Sequence, residues 1–255
     1  VTMKNYTGKK IVVMGVARQG QALARFFTKR GAQVILTDTR EKEQLSEELA
    51  VLENLPVSLD LGGHHPEILD GVEMVCVSGG VPLTIPFIQE AHIRRIPLSN
   101  DSQIFLEECP CMVAGITGSA GKSTTTALAG LMAKTTFEMK SNRQKAWVGG
   151  NIGNPLIDYL DEMGEDDLAI MELSSFQLEL MKNSPQIAAV LNITPNHLDR
   201  HGSMDAYIDA KSHILWFQNA DDIAILNRDD KVTWDMLSDI KGDLISFGLN
   251  KPDSR

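Results

Sequence analysis

The stretch that most constrains this chain is Gly115–Thr126, GITGSAGKSTTT. An apolar run, Met112-Val113-Ala114, precedes it, and Ala127-Leu128-Ala129-Gly130-Leu131-Met132 follows with helical periodicity. Strand, glycine loop and helix in that order make a phosphate cradle. Glycines let backbone N–H groups converge on phosphate oxygens, and the helix N-terminus adds partial positive charge. Lys122 is placed to reach the β/γ-phosphates, and the Ser123 hydroxyl to sit on a Mg²⁺. The loop is a variant, because G-x-x-x-x-G-K-[ST] asks for glycine five before Gly121 and the chain has Ile116 there. A plain Gly/Ser turn ahead of an ordinary helix accounts for the glycines but not for Gly-Lys-Ser-Thr in that place.

Around this loop the chain reads as an α/β protein of alternating strands and helices. Lys10–Met14 is a buried strand, Gly15–Gly20 (GVARQG) turns into a helix over Gln19–Lys29, and Gln33–Leu36 is a second strand ending in Thr37-Asp38-Thr39-Arg40. This is a Rossmann-like βαβ opening, with Asp38 where a ribose hydroxyl is usually held. Ala17 replaces the second glycine of the dinucleotide fingerprint and crowds the approach to a pyrophosphate; Asp38 can alternatively cap the next helix. Strands follow at Val57–Leu61 and Met74–Ser78, with His64-His65 between them as a loop or, less simply, a metal pair. A helix over Pro86–Arg94, a strand over Ile96–Leu98 and a helix over Asp101–Glu108, opened by an acidic cap, complete the first half. The expected domains are residues 1–108 and 109–255, the second opening on the glycine-loop strand. There, strands are expected at Leu168–Leu173, Ile187–Ile193, Ile223–Leu226 and Leu244–Phe247, and helices up to Leu160 and over Met204–Phe217. Lys134–Lys145 is polar and resists assignment.

In a parallel α/β sheet, ligands sit at the carboxyl ends of strands. Glu172, the run from Asn192 to His197, and the glycine loop all occupy such ends, so they are expected to converge. A carboxylate near the loop hydroxyl suits Mg²⁺, a hard cation that takes oxygen ligands and shares phosphates. The plainer alternatives are a surface acid for Glu172 and a helix-capping or packing ring for His197. Lys211 is sharper. In the stripe Met204, Ile208, Lys211, Leu215 it fills a position that the pattern otherwise gives to apolar side chains. It is either a snorkelling stem or an inward amine pushed toward its neutral form.

Composition closes off several classes. The net charge of −10 and the absence of a basic run argue against a nucleic-acid surface. No stretch reads as a signal or membrane segment. The three cysteines, Cys76, Cys109 and Cys111, lack C-x-x-C spacing and read as reduced thiols of a cytoplasmic protein, expected to be a monomer.

These motifs together resemble the Mur ligases of peptidoglycan synthesis. The resemblance rests on Asp38-Thr39-Arg40, Ile116–Thr124 (ITGSAGKST), Gly149–Gly153 (GGNIG), Glu172–Glu179 (ELSSFQLE), Asn196–Arg200 (NHLDR) and Tyr207–Lys211 (YIDAK). Ala120, Ser78-Gly79-Gly80 and Arg143–Ala146 with the residues before it depart from the family pattern. The ELSSFQLE stretch points to the member that joins D-glutamate to UDP-N-acetylmuramoyl-L-alanine. The resemblance implies ATP and Mg²⁺ as cofactors and an acyl phosphate intermediate, with Thr117, Gly118, Ser119, Ala120, Gly121, Lys122, Ser123 and Thr124 around the nucleotide. It implies Lys122, His197 and Lys211 in catalysis, Ser123 and Glu172 on one Mg²⁺, and His197 with carbamylated Lys211 on a second. Asn151, Ser174 and Gln177 would contact the muramoyl-alanine part. Asp38, Thr39 and Arg40 would lie near the uracil, and Gly15, Arg18 and Gln19 near the diphosphate. It further implies three domains, of which this chain carries the first and part of the second; the C-terminal amino-acid-binding domain is expected to be absent and the chain alone inactive. The alternatives are another Mur or folylpolyglutamate-type ligase, an NAD-binding Rossmann protein, or a plain P-loop NTPase.

Overall fold

The computed structural model describes residues 4–140 and 143–249; Ser141 and Asn142, inside the unassigned polar stretch, lie outside the described residues. The chain divides into two compact units, Val1–Glu108 and Cys109–Arg255.

In the first unit the elements run β1 (Lys10–Met14), α1 (Arg18–Lys29), β2 (Gln33–Asp38), α2 (Ser46–Ala50), β3 (Val57–Leu61), β4 (Met74–Val77), α3 (Pro86–Ile93), β5 (Leu98–Ser99) and α4 (Asp101–Glu108). The strands form one parallel sheet in the order β3-β2-β1-β4-β5. A sheet buried on both faces needs near-continuous apolar strands, and KIVVM supplies one: Ile11 to Met14 are fully buried. Helix α1 docks on it through Leu23, Phe26 and Phe27, with Tyr6 edge-on to both rings at 5.7 and 5.0 Å. Removing the Phe27 ring from this packing would cost about 3–5 kcal/mol. The close approach depends on Gly20, since a Cβ there would stand 1.8 Å from the carbonyl oxygen of Gly15.

The second unit runs β6 (Met112–Thr117), α5 (Lys122–Met139), β7 (Ala146–Gly150), β8 (Leu168–Glu172), α6 (Ser175–Leu178), β9 (Ile187–Val190), α7 (Leu198–His201), α8 (Met204–Trp216), β10 (Ile223–Asn227), α9 (Lys231–Asp235) and β11 (Asp243–Phe247). These strands are also all parallel, in the order β11-β10-β9-β6-β8-β7. Ile116, Ile170 and Ala189 from the three central strands pack together at its middle. In both sheets the order reverses beside the first strand of the unit, β1 and β6, and such a switch point opens a crevice at the strands' carboxyl ends.

Several expectations need correcting. The polar stretch from Lys134 is helical as far as Met139, because α5 continues through it. The fifth strand sits at Leu98–Ser99, and the cap of α4 is Asn100, whose Oδ1 accepts the Gln103 N–H at 2.8 Å. The segment before Leu160 is a 3₁₀ helix, Leu156–Glu162. Residues 42–50 and 231–239 are helical where no element was expected.

Candidate active site

At the switch point of the second sheet, β6 runs into the glycine loop between β8 and β9. The parallel register sets Ile116 beside Glu172 and Thr117 beside Val190. Loop and strand ends are tied together: Thr117 Oγ1 donates to the Leu173 carbonyl at 2.8 Å, and the Ser119 N–H to the Asn192 carbonyl at 2.8 Å. The Asn192 side chain clamps Ala120 from both sides, accepting its N–H and donating to its carbonyl, each at 2.9 Å. Ser119 Oγ shares bonds with Thr194 and with the Tyr207 hydroxyl, 3.0 Å away. Gly121 then caps α5 at φ 83, a left-handed conformation that glycine takes without strain.

This wiring narrows the cradle. The N–H groups of Ser119 and Ala120 are spent on Asn192, so the amides that α5 itself leaves unpaired begin after Ala120, in its first turn with Lys122, Ser123 and Thr124. The Lys122 ammonium folds back on its own loop, donating to the Gly118 carbonyl at 2.9 Å and reaching the Ser119 carbonyl at 3.5 Å.

Two ionisable groups beside the loop are buried at a cost. Glu172, 1% exposed, accepts the Asn151 amide on Oε1 at 2.8 Å, while its Oε2 is buried with no hydrogen-bond partner among the described residues. Lys211, also 1% exposed, donates to the Gly118 carbonyl at 3.1 Å and to Thr117 Oγ1 at 3.3 Å, with the Tyr207 ring 4.8 Å from its nitrogen. Burial, and then the Lys122 charge, lower its pKa to about 7. Among the described residues no carboxylate pairs with it. A carboxylate oxygen without a donor and an amine near neutrality fit a cation and an acidic group that the protein itself does not supply. No three His, Cys, Asp or Glu side chains among the described residues gather as a metal cage.

The remaining residues of this unit scatter. His197 is exposed, sits at φ 53 just before α7 and packs its ring 5.3 Å from Phe176; no bond among the described residues joins it to Glu172 or Lys211. Ser174 and Gln177 form the capping box of α6, each side chain closing on the other's backbone. His201 was not foreseen. It stacks on Phe176 at 5.0 Å, and its Nε2 lies 2.9 Å from Ser175 Oγ. Burial and the Lys211 charge push its pKa down. The pairing spans 26 positions, and nothing local in the sequence announces it.

At the switch point of the first sheet lies a cavity of about 440 Å³ lined by Gly15, Asp38, Thr39, His64, Val81 and Phe87, among others. Asp38 does not wait for a ligand. Its Oδ1 accepts the Arg40 N–H and Nε, and its Oδ2 the Val16 N–H and an Arg40 guanidinium nitrogen, all at 3.0–3.1 Å. Burial alone would raise this carboxyl, but these bonds outweigh it and hold it below the usual range. Arg40 also bonds Glu48 at 2.9 Å. Gln19 reaches Asp101 at 3.4 Å, and Arg18 is exposed at the start of α1. Of the His64-His65 pair, His64 Nδ1 meets Thr37 Oγ1 at 2.8 Å, and His65 Nδ1 meets Asp60 at 2.7 Å.

Residues 116–255 match the Mur ligase middle domain, and residues 9–99 match the Mur ligase MurD-like N-terminal domain. The chain is 37% identical over 242 residues to a UDP-N-acetylmuramoylalanine–D-glutamate ligase of Clostridium botulinum, covering 94% of this chain and 51% of that protein. A ligase of the same name from Ruminiclostridium cellulolyticum is 36% identical over 244 residues, 96% of this chain and 51% of its own. The chain thus spans about half the length of the curated relatives it matches. Among solved structures, a Neisseria UDP-N-acetylmuramate:L-alanyl-γ-D-glutamyl-meso-diaminopimelate ligase superposes with a TM-score of 0.61 at 16% identity, covering 94% of this chain and 78% of that one. That likeness is one of fold.

Proposed function

The chain belongs to the Mur ligase family, and from that premise we propose that it carries the UDP-substrate and ATP sites of the ligase that adds D-glutamate to UDP-N-acetylmuramoyl-L-alanine. The alanyl carboxylate attacks the γ-phosphate of ATP, giving an acyl phosphate and ADP; the amine of D-glutamate then displaces phosphate. Phosphoryl transfer asks the protein for in-line positioning and charge neutralisation rather than covalent help. The observation that carries the reading is the pair of buried, under-partnered groups beside the glycine loop, the Glu172 oxygen and the Lys211 amine.

Each residue then has a task. The first turn of α5 offers N–H donors to the β- and γ-phosphates, and Lys122 swings from the Gly118 carbonyl to their oxygens. Asn192 holds the loop in register while that happens. Ser123 and Glu172 would hold one Mg²⁺, and Lys211, as a carbamate formed from its neutral amine and CO₂ with loss of a proton, would face a second with His197. Bound there, the ions would neutralise charge on the transferred phosphoryl group. Asn151, already on Glu172, would present its remaining capacity to the muramoyl-alanine carboxylate. In the first unit, the cavity beside β1 would take the uridine end. Three buried free thiols suit work in the reducing cytoplasm.

An NAD-binding reading of the first unit meets a specific obstacle. The carboxylate that would take a ribose hydroxyl, Asp38, already accepts four donors. Calorimetry of the chain with UDP-N-acetylmuramoyl-L-alanine, with Mg²⁺-ATP and with NADH decides between them. The proposal expects the first two to bind at independent sites; tighter binding of NADH than of the UDP compound would overturn it.

A further inference from the structure

The first-unit cavity contains one polar group whose protonation is fixed by its neighbours. Thr37, at the end of β2, is fully buried, and its hydroxyl oxygen lies 2.8 Å from Asp60 Oδ2, 3.1 Å from the Gly63 carbonyl and 2.8 Å from His64 Nδ1. A hydroxyl has one proton to give. The Asp60 carboxylate and the Gly63 carbonyl can only accept, so that proton goes to one of them. The 2.8 Å contact with His64 is then a hydrogen bond only if the ring donates its Nδ1–H to Thr37. Asp60 is anchored further by the His65 ring, 2.7 Å from its Oδ1, and by the His65 N–H, which donates to Oδ2 at 3.3 Å and keeps the arrangement in place.

With Nδ1 as the donor, neutral His64 carries its lone pair on Nε2. Burial pushes the His64 pKa down, against the opposing pull of Asp38 and Asp60 and with the help of His65, so the neutral ring is the form present at pH 7. Its ring lies 5.6 Å from Phe87, which lines the same cavity. Asp38, the other acceptor on the cavity wall, is saturated by Val16 and Arg40. The wall therefore offers a ring acceptor from the β3–β4 side in place of the carboxylate at the tip of β2.

Resting on the reading that this cavity takes the uridine end of the substrate, we propose that His64 is a specificity-determining residue whose Nε2 accepts the ring N–H of uracil. Cytosine has a lone pair at that ring position and would set acceptor against acceptor. A site that leaves a buried polar group unpaired in the wrong complex discriminates more strongly than one that only loses contact.

Calorimetry of the whole chain with UDP, CDP and N3-methyl-UDP tests this without any substitution. UDP is expected to bind at least tenfold tighter than either of the others at pH 7.5. His64→Phe keeps a planar ring without the acceptor; it should bind UDP about tenfold more weakly and bring the UDP:CDP ratio close to one, with Mg²⁺-ATP affinity unchanged. Lowering the pH until His64 protonates should shrink the same ratio in the parent chain, because Nε2 then becomes a donor, and leave it flat in His64→Phe. UDP binding with a UDP:CDP ratio that neither N3-methylation nor His64→Phe alters would overturn the role of His64 while leaving the uridine site standing. Absence of UDP binding altogether would overturn the uridine reading, and this proposal with it.

Discussion

The two switch points both lie beside the first strand of an all-parallel sheet, and they are finished in opposite ways. In the first unit the conspicuous acid, Asp38, is buried with four donors on its two oxygens. In the second, Glu172 is as deeply buried with one oxygen unpartnered, and Lys211 is buried with no counter-charge among the described residues. A satisfied carboxylate stabilises the ligand-free protein and shapes a cavity. An unsatisfied one destabilises it and stores affinity for whatever completes the site. The contrast suits the two ligands proposed: a base and sugar read by shape and single hydrogen bonds, and a polyanion that arrives with its own cations.

The contrast is most easily broken at Lys211. Its folded-state pKa of about 7 lies below the unfolded value of 10.5, so between those pH values the unfolded chain binds the extra proton. The penalty is present in full below pH 7 and is relieved as pH rises toward 10.5, on the order of 4–5 kcal/mol in all. Lys211→Met should therefore stabilise the ligand-free chain at pH 7 and flatten its gain in stability between pH 7 and 10, measured by urea unfolding across that range. A lysine stabilised by unseen partners would give the reverse.

Next in size is Lys122. Replacing it by alanine removes about two charge-assisted bonds to phosphate and should weaken Mg²⁺-ATP binding by about 3 kcal/mol, more than a hundredfold. UDP affinity should stay as it was, and calorimetry with both ligands reads the two effects separately. A loss at both sites would mean that the units are not independent.

Smaller, and opposite in sign to Lys211→Met, is Asp38→Asn. The folded carboxyl titrates below its unfolded value, so its stabilisation is present above pH 4 and is lost as pH falls through the folded value. The amide keeps one acceptor for Val16 or Arg40 and turns a donor toward the rest, which should cost about 1–3 kcal/mol at pH 7 and remove part of the acid sensitivity. Thermal unfolding at pH 7 and at about pH 3, below the unfolded value, checks both.

Much of this was legible in the residues, and for a physical reason. Strands buried on both faces must be apolar runs, so Lys10–Met14 and Leu168–Glu172 announce themselves, and glycine-loop chemistry leaves few alternatives at Gly118–Ser123. Helix α5 was legible only to about Met132, because its continuation, KTTFEM, has no apolar stripe, is mostly exposed, and carries Thr-Thr-Phe, residues of modest helix propensity. The short helical segments beginning at Lys42 and Lys231 had signals that were local and small: the Glu41–Gln44 capping box and the Asp230 cap on Thr233. Lys211 could be read as inward from one stripe. The Asn192 clamp, the Ser175–His201 pair and the Thr37–His64 bond could not, since each depends on tertiary placement of positions 26 to 72 residues apart.

Glu172 tests the contrast most directly. Thermal unfolding of the parent chain and of Glu172→Gln, each alone and with Mg²⁺-ATP, compares the cost of the unpartnered oxygen with its use. Glutamine keeps the acceptor for Asn151 and removes the buried charge. The expected result is a higher Tm for the variant without ligand, and loss of most of the Tm increase that Mg²⁺-ATP gives the parent. A variant that is less stable without ligand, or that keeps the full Mg²⁺-dependent increase, would contradict the account of Glu172 as a carboxylate held ready for a cation.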